Sequence, residues 1–152
     1  MAHFRTQIRD KVAALLADCP TTAGRVFSGR VAPLMPAEMP GLVVVSAGET
    51  ADFGPSVGGG PSTERVLQLL VIGDVVGNEG LYDDLDSIAG EVEKTLLGDH
   101  YTLDGLCQWI EPPQTQLAIS ERGENSSDRI GTIRLVFPIH YRTVTADPSV
   151  QV

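Results

Sequence analysis

Cysteine is scarce in this chain, and long apolar runs are missing. The 152 residues include only two cysteines, Cys19 and Cys107, far apart and without CxxC spacing. Two cysteines make no disulfide framework in a chain of this size, and their spacing fits neither a zinc nor a redox motif. We therefore expect free thiols, Cys19 near a helix end and Cys107 in a strand. No stretch approaches the roughly 18 apolar residues of a membrane helix.

A secretory signal and an excess of basic charge are also missing. The first residues turn at once into a charged amphipathic pattern without an apolar h-region, so we expect synthesis in a cytoplasm. Eleven Lys and Arg against 20 Asp and Glu give a net charge of −9. This charge disfavours nucleic-acid binding by phosphate neutralisation. It fits a channel through which DNA slides without sticking, although solubility alone is the simpler explanation.

What the sequence does contain is an ordinary globular composition, 42% hydrophobic and 20% charged, which predicts one domain over residues 1–152. Two amphipathic helices are expected. The first covers about residues 3–18, with an apolar stripe formed by Phe4, Ile8, Val12 and Leu15. The second covers about residues 79–97, from an Asn78 N-cap to a stop at Gly98.

The remaining apolar segments read as strands. They lie at residues 42–45, 63–76, 106–110, 116–120 and 130–143, after a short extended piece at 24–30. The last strand alternates, with Ile133, Leu135, Phe137, Ile139 and Tyr141 on one face. A flexible loop at about 50–62, a polar turn at 121–128 and a loose tail at about 144–152 complete the pattern. The predicted fold is α+β: a mainly antiparallel sheet of four to five strands with two helices on one face.

Motifs that carry chemistry are incomplete. His3, His100 and His140 are isolated from one another and from further metal ligands. The glycine run at 58–60 lacks the lysine of a phosphate loop, and the acidic cluster at 83–86 lacks the glycine and terminal glutamate of a calcium loop. We therefore predict no catalytic, cofactor-binding or metal-binding residues, no cofactor, and a chain that is not an enzyme.

An open sheet face, sheet edges and a glycine-rich loop are the positive features, and each can contact a neighbouring molecule. From these features we predict an oligomer or partner interface. Its candidate residues are Phe53, Gly54, Val57, Gly58, Gly59, Gly60, Arg134, His140 and Arg142.

A series of short sequence motifs along the chain resembles the lambda-type phage tail terminator family (minor tail protein U). They are Arg9-Asp10-Lys11-Val12, Leu15-Leu16, Gly24-Arg25-Val26-Phe27-Ser28-Gly29-Arg30, Pro40-Gly41-Leu42-Val43-Val44-Val45 and Glu49, followed by Leu85-Asp86, Val92-Glu93 and Ile139-His140-Tyr141. The similarity spans most of residues 4–143, as element order and short words rather than a strict signature. The loop at 54–62, the tail after Thr143 and Pro112-Pro113 depart from the family pattern.

The resemblance implies a structural virion protein of the tail neck. Such a protein forms a homohexameric ring on the head-proximal end of the tail tube, stops tube polymerisation and joins a head-completion or connector protein. DNA passes through the ring without specific binding, and no membrane is involved.

Three alternatives remain open at this point. The first is another neck component, such as a tail-completion or head–tail joining protein. The second is a small enzyme or ligand-binding domain that uses the open sheet face, which a pocket with convergent polar groups would favour. The third is a bacterial protein of phage origin, for example from a contractile injection or gene-transfer particle.

Overall fold

The computed structural model describes residues 2–56, 60–120 and 128–152. They form one sheet and two α-helices. In chain order the elements are α1 (Phe4–Leu16), β1 (Val26–Ser28), β2 (Gly41–Phe53), β3 (Ser62–Gly77), α2 (Leu81–Glu93), β4 (Trp109–Ile110), β5 (Gln114–Ser120), β6 (Arg129–Val144) and β7 (Asp147–Gln151).

Helix α1 follows from the predicted apolar stripe. Phe4, Ile8, Val12 and Leu16 are buried and recur every four residues. That step keeps them on one face of a helix, and it is Leu16, not Leu15, that completes the stripe. His3 is the N-cap, because its Nδ1 accepts a hydrogen bond of 3.1 Å from the backbone N–H of Arg5.

Helix α2 differs from its prediction at both ends. Gly80 is the N-cap, with a φ of 69° that glycine adopts without strain. Asn78 lies two residues earlier in the chain, so the predicted Asn78 cap is wrong. At the other end the helix continues into a π-helical turn, Lys94–Asp99. Gly98 therefore lies inside that turn and does not end the helix.

The sheet is mainly antiparallel, with the strand order β1-β2-β3-β6. Only β1 and β2 pair in parallel. Strands β5, β4 and β7 all pair with the same far edge of β6. The α+β class is confirmed, but the described residues contain seven strands rather than four to five. The number of strands is higher than predicted for two reasons. Pro112 and Pro113 separate β4 from β5, and the short segments β1 and β7 were not predicted to be strands.

Three predicted boundaries are wrong because tertiary pairing overrides local sequence. Residues 50–53 belong to β2, where Thr50 pairs with Val66 and Phe53 with Thr63, so the connection covers only residues 54–61. The tail is not loose: Val144 ends β6, β7 pairs with it, and Gln7 of α1 bonds to the backbone of Ser149. Residues 106–107, including Cys107, precede the two-residue strand β4.

Both helices cover one face of the sheet, as predicted: α1 packs on β1 and β2, and α2 on β3 and β6. Two glycines allow α2 to approach. A Cβ atom at Gly73 would lie 3.0 Å from Ile88 Cγ2 and 3.1 Å from Ile133 Cγ2. A Cβ atom at Gly131 would lie 3.2 Å from Leu85 Cδ1. The predicted alternation of β6 is also confirmed, since its five inward residues are buried in this core.

The opposite sheet face is open only in part. A second small apolar group lies there, outside the main core, and consists of the buried side chains of Leu34, Val43 and Leu70. A Cβ atom at Gly41 would lie 2.9 Å from Leu34 Cδ1, so the connection from β1 to β2 folds over this end of the face. An ion pair from Arg30 to Glu38, 2.7 Å at its Nη2–Oε1 contact, closes that connection.

Candidate assembly surfaces

The hairpin end of β2 and β3 carries part of the predicted contact set. The side chain of Phe53, at the end of β2, is 93% exposed. Gly54 continues the pairing by donating its N–H to the carbonyl of Ser62 at 2.9 Å, and Gly60 lies just before β3. The predicted residues Val57, Gly58 and Gly59 lie outside the described residues. The hairpin therefore presents a large apolar side chain that nothing in its own described chain covers.

Arg134, His140 and Arg142 share the outward face of β6, as the alternation predicted. Their environments differ. His140 Nε2 lies 3.1 Å from Glu111 Oε2, and Arg142 Nη2 lies 2.6 Å from Glu64 Oε1. Arg134 is exposed and has no hydrogen-bond or ion-pair partner within the described ranges. Of the three, Arg134 offers an unshared charge to another molecule.

Trp109 is a surface residue that the sequence analysis missed. Its ring stacks on His140, with ring centroids 4.4 Å apart and 19° between the planes, and the residue remains 47% exposed. The pair borders a cleft of about 110 Å³ that Asp52 and Glu64 also line. The chain has a single tryptophan, which was the available signal. Its place on the outward face depends on the two-residue pairing of β4 with β6, and no periodicity reveals that pairing.

A buried polar cluster ties α1 to three strands. Glu49 Oε2 accepts hydrogen bonds of 2.9 Å from Arg5 Nη1 and from Arg65 Nη1, and its Oε1 accepts one from the Tyr141 hydroxyl. Arg65 Nε donates to Thr143 Oγ1 at 2.9 Å. The Glu49 side chain is 7% exposed and that of Arg65 14%. A buried carboxylate is stable only when it is paired and hydrogen-bonded in this way.

The cluster has a structural role, because it holds α1 against the sheet. Burial raises the pKa of Tyr141, and the hydrogen bond to Glu49 raises it further, so the phenol stays a neutral donor. Its ring stacks on Phe4 of α1 at 5.7 Å between centroids. The sequence analysis noted Glu49 only as part of a family pattern. Its inward position could not be predicted, because the strand was expected to end at Val45 and the bulge between Ser46 and Gly48 determines which face Glu49 occupies.

The two thiols lie in the interior. Cys19 and Cys107 are 5% and 4% exposed, and both are free. Burial raises the pKa of Cys107 to about 12, and burial also raises that of Cys19. Because the thiolate is the reactive form, neither side chain is suited to react at neutral pH.

Within the described ranges, no group of three or more His, Cys, Asp or Glu side chains is arranged to hold a metal ion. No helix there has the length and apolar character needed to cross a bilayer.

Two sheet edges are exposed. All of β5 except Ile119 is exposed along its length, and the stretch carries no charged residue and no proline. At the opposite side of the sheet, β1 pairs only with residues 42–44 of β2. Among the described residues, no strand pairs with the outer edge of residues 45–53. Unpaired edges present backbone N–H and C=O groups that another strand can bind.

Comparisons with known proteins identify no family. No family model matches the chain, and no curated protein matches it. Among solved structures, the chain is similar to one described as the virion of a native gene transfer agent (GTA) particle. That similarity has a TM-score of 0.39 and 18% sequence identity, over 91% of this chain and 90% of the other. A likeness of this size carries no argument about function.

Proposed function

We propose that this chain is a structural protein of a phage-type virion, and that it caps the head-proximal end of a tail tube as a ring of identical subunits. In this role it ends tube polymerisation and forms the surface to which a head-completion or connector protein binds. The proposal starts from the sequence resemblance to the lambda-type tail terminators.

The observation that carries the proposal is the kind of surface this fold leaves unpartnered. The buried polar groups around Glu49 are used within the chain. Among the described residues, the groups left without an internal partner include two strand edges, the side chain of Phe53 and the charge of Arg134. Strand edges and exposed apolar residues serve contact with other protein surfaces.

The charge and size of the chain agree with this role. A single domain of 152 residues, with a radius of gyration of roughly 15 Å, is too small to encircle duplex DNA alone. A ring with cyclic symmetry can do so, because identical head-to-tail contacts close on themselves. A net charge of −9 would let DNA pass through such a ring without adhering to it.

Tube polymerisation tests the proposal directly. The purified chain is added to polymerising tail-tube protein from the same particle, and tube lengths are measured by electron microscopy. We expect short tubes with one end closed by a ring, at a ratio of about one ring per tube. Tubes of unchanged length that carry no ring would reject a terminator role.

The same assay separates the nearest alternative. A head–tail joining or tail-completion protein would bind finished tubes or connectors and leave the growth of naked tubes unchanged. A matched control is the variant Ser87→Ala, since this exposed residue lies on α2, which packs on β3 and β6 rather than on β2 or β5.

A further inference from the structure

The two exposed edges belong to opposite sides of the same sheet, and they are of similar length. One is the outer edge of residues 45–53 in β2, and the other is the outer edge of β5, Gln114–Ser120. Strand β2 is antiparallel to β3, β3 to β6, and β6 to β5. Therefore β2 and β5 run in opposite directions, and two copies in the same orientation would align them as an antiparallel pair.

The backbone groups that face outward on β2 follow from its pairing with β3. Gly54 donates its N–H to the carbonyl of Ser62, so its backbone groups point toward β3. In an antiparallel ladder this direction alternates along the strand. Hence Phe53, Ala51 and Glu49 direct their N–H and C=O groups away from the sheet. Among the described residues these groups have no backbone partner.

The same alternation fixes β5. Glu111 donates its N–H to the carbonyl of Pro138 at 2.9 Å, so the even-numbered residues of β6 point toward this edge. Gln114, Gln116, Ala118 and Ser120 stand opposite even-numbered residues of β6 and bond inward. Thr115, Leu117 and Ile119 therefore direct their backbone groups outward.

We propose that β5 of one copy pairs with residues 49–53 of β2 in a second copy, with Thr115 opposite Phe53, Leu117 opposite Ala51 and Ile119 opposite Glu49. All three pairs join residues whose backbone groups point outward, so each can form hydrogen bonds in both directions. The pairing deepens the proposed function, because it supplies the subunit contact of the ring.

The side chains on both faces fit this register. On the helix-covered face it places Phe53 opposite Thr115 and diagonally next to Leu117, which is 44% exposed. On the other face it places Asp52 opposite Gln116, whose neighbour on β6 is Arg134. Asp52 and Arg134 carry opposite charges, and neither has a partner within the described ranges. The same alignment thus brings Phe53 next to Leu117, and it puts Asp52 two strand spacings, roughly 10 Å, from Arg134, which the long arginine side chain can span.

The contact uses two different edges, and this decides the kind of assembly. Pairing of two identical edges would stop at a dimer. Pairing of β5 with β2 leaves a free edge at each end, so subunits add head to tail until the sheet closes. Strand addition of this type gives affinity through backbone hydrogen bonds and specificity through the flanking side chains.

Disulfide trapping tests the register. In the proposed pairing, Thr50 and Ala118 face each other as a non-hydrogen-bonded pair with Cα atoms about 4.5 Å apart, within disulfide range. The double variant Thr50→Cys, Ala118→Cys should give a ladder of covalent oligomers on mild oxidation, ending in one closed species. The control Thr50→Cys, Gln114→Cys moves one thiol by four residues, roughly 13 Å. The native thiols are buried in both variants.

Oxidation is carried out on the concentrated protein and on capped tubes. The pairing is supported if the yield of disulfide-linked oligomers from the Ala118 variant is at least tenfold higher than the yield from the Gln114 control. Equal yields from the two variants overturn it, even if tubes are capped normally. A ladder without capping activity keeps the pairing and rejects the terminator role, so the two failures are distinguishable.

Association measurements give a second, independent test. Thr115→Pro removes an outward N–H but no bond to β6, and Thr115→Ala is its matched control. We expect at least tenfold weaker association for the proline variant at an unchanged Tm. If the proline variant fails to fold, the exposed charges replace it: Asp52→Arg and Arg134→Asp should each weaken association several-fold, and the double variant should restore it. Wild-type association in every variant would overturn the proposal.

Discussion

The helix-covered face and the sheet edges differ in whether their side chains find partners within the chain. Under α1, the carboxylate of Glu49 is matched by two guanidinium groups and a phenol, and the Glu49 side chain is only 7% exposed. At the edges, Phe53 and Leu117 are exposed, and Arg134 has no partner among the described residues. The difference is that the buried groups find their partners inside one chain, whereas the edges are open to the contact that we propose.

The largest effect is expected when the carboxylate of Glu49, at the centre of the buried polar cluster, is removed. Glu49→Ala leaves Arg65 buried beside a cavity without its counter-charge, and we expect the free energy of unfolding to fall by about 3–5 kcal/mol. Urea denaturation measures it. Glu111→Ala is the control, because its pair with His140 is half exposed and should be worth less than about 1 kcal/mol. Equal losses in both variants would contradict the structural role of the cluster.

A close approach of α2 to the sheet is the next feature to test. Gly73→Ala places a Cβ atom 3.0 Å from Ile88 Cγ2 and 3.1 Å from Ile133 Cγ2, so these side chains must move by a few tenths of an ångström to accept it. We expect a loss of about 1–3 kcal/mol in the free energy of unfolding. Gly90→Ala on α2 is the matched control. Its Cβ atom would meet nothing within 4 Å, so it should stabilise the helix by up to about 1 kcal/mol. If Gly73→Ala leaves the free energy of unfolding unchanged, the contact between α2 and the sheet can accept the extra Cβ atom.

The start of α1 should respond to pH. Burial, followed by the charge of Arg5, lowers the pKa of His3, and protonation would remove the Nδ1 acceptor of the cap. The unfolded chain therefore binds the proton more readily, so this stability is present above pH 6.5 and is lost as the pH falls toward the lower folded pKa. His3→Asn keeps an acceptor that does not titrate. Between pH 7.5 and pH 5, the free energy of unfolding should fall more in the wild type than in the variant. An equal pH dependence would exclude His3 as the cause.

The smallest effect on stability is expected at the hairpin end. Phe53→Ser should change the free energy of unfolding by no more than about 0.5 kcal/mol, because the side chain is 93% exposed. Self-association, measured by sedimentation velocity, should nevertheless weaken. Met35→Ser serves as the control, since Met35 is 62% exposed and follows Leu34, which lies beside Gly41 at the other end of β2 from Phe53. Weakened association in both variants would indicate a general effect of surface hydrophobicity.

Much of the fold was predictable where periodicity is long and unambiguous. Helix α1 and strand β6 confirm this, because a step of four or of two residues by itself fixes which side chains share a face. Prediction failed for segments that become strands only because a neighbouring strand pairs with them. Residues 50–53 and 147–151 have weak strand propensity, and they are strands because β3 and β6 offer partners for their backbone groups.

The candidate site was predictable to a smaller extent. The sequence placed Phe53 and Arg134 at surfaces, and both are exposed. It could not tell Arg134 from His140 and Arg142, because all three share one face of β6. Their difference depends on Glu64 and Glu111, which come from β3 and from the chain between β4 and β5.

From the amino-acid sequence follow the α+β class, most of the apolar stripe of α1 and the inward residues of β6, because periodicity is a local property that each segment carries alone. The order of the strands, the match between Glu49 and its cationic partners, and the edges that stay unpaired follow only from the folded chain. Those features depend on groups distant in the chain, and their positions are set only when the sheet has assembled.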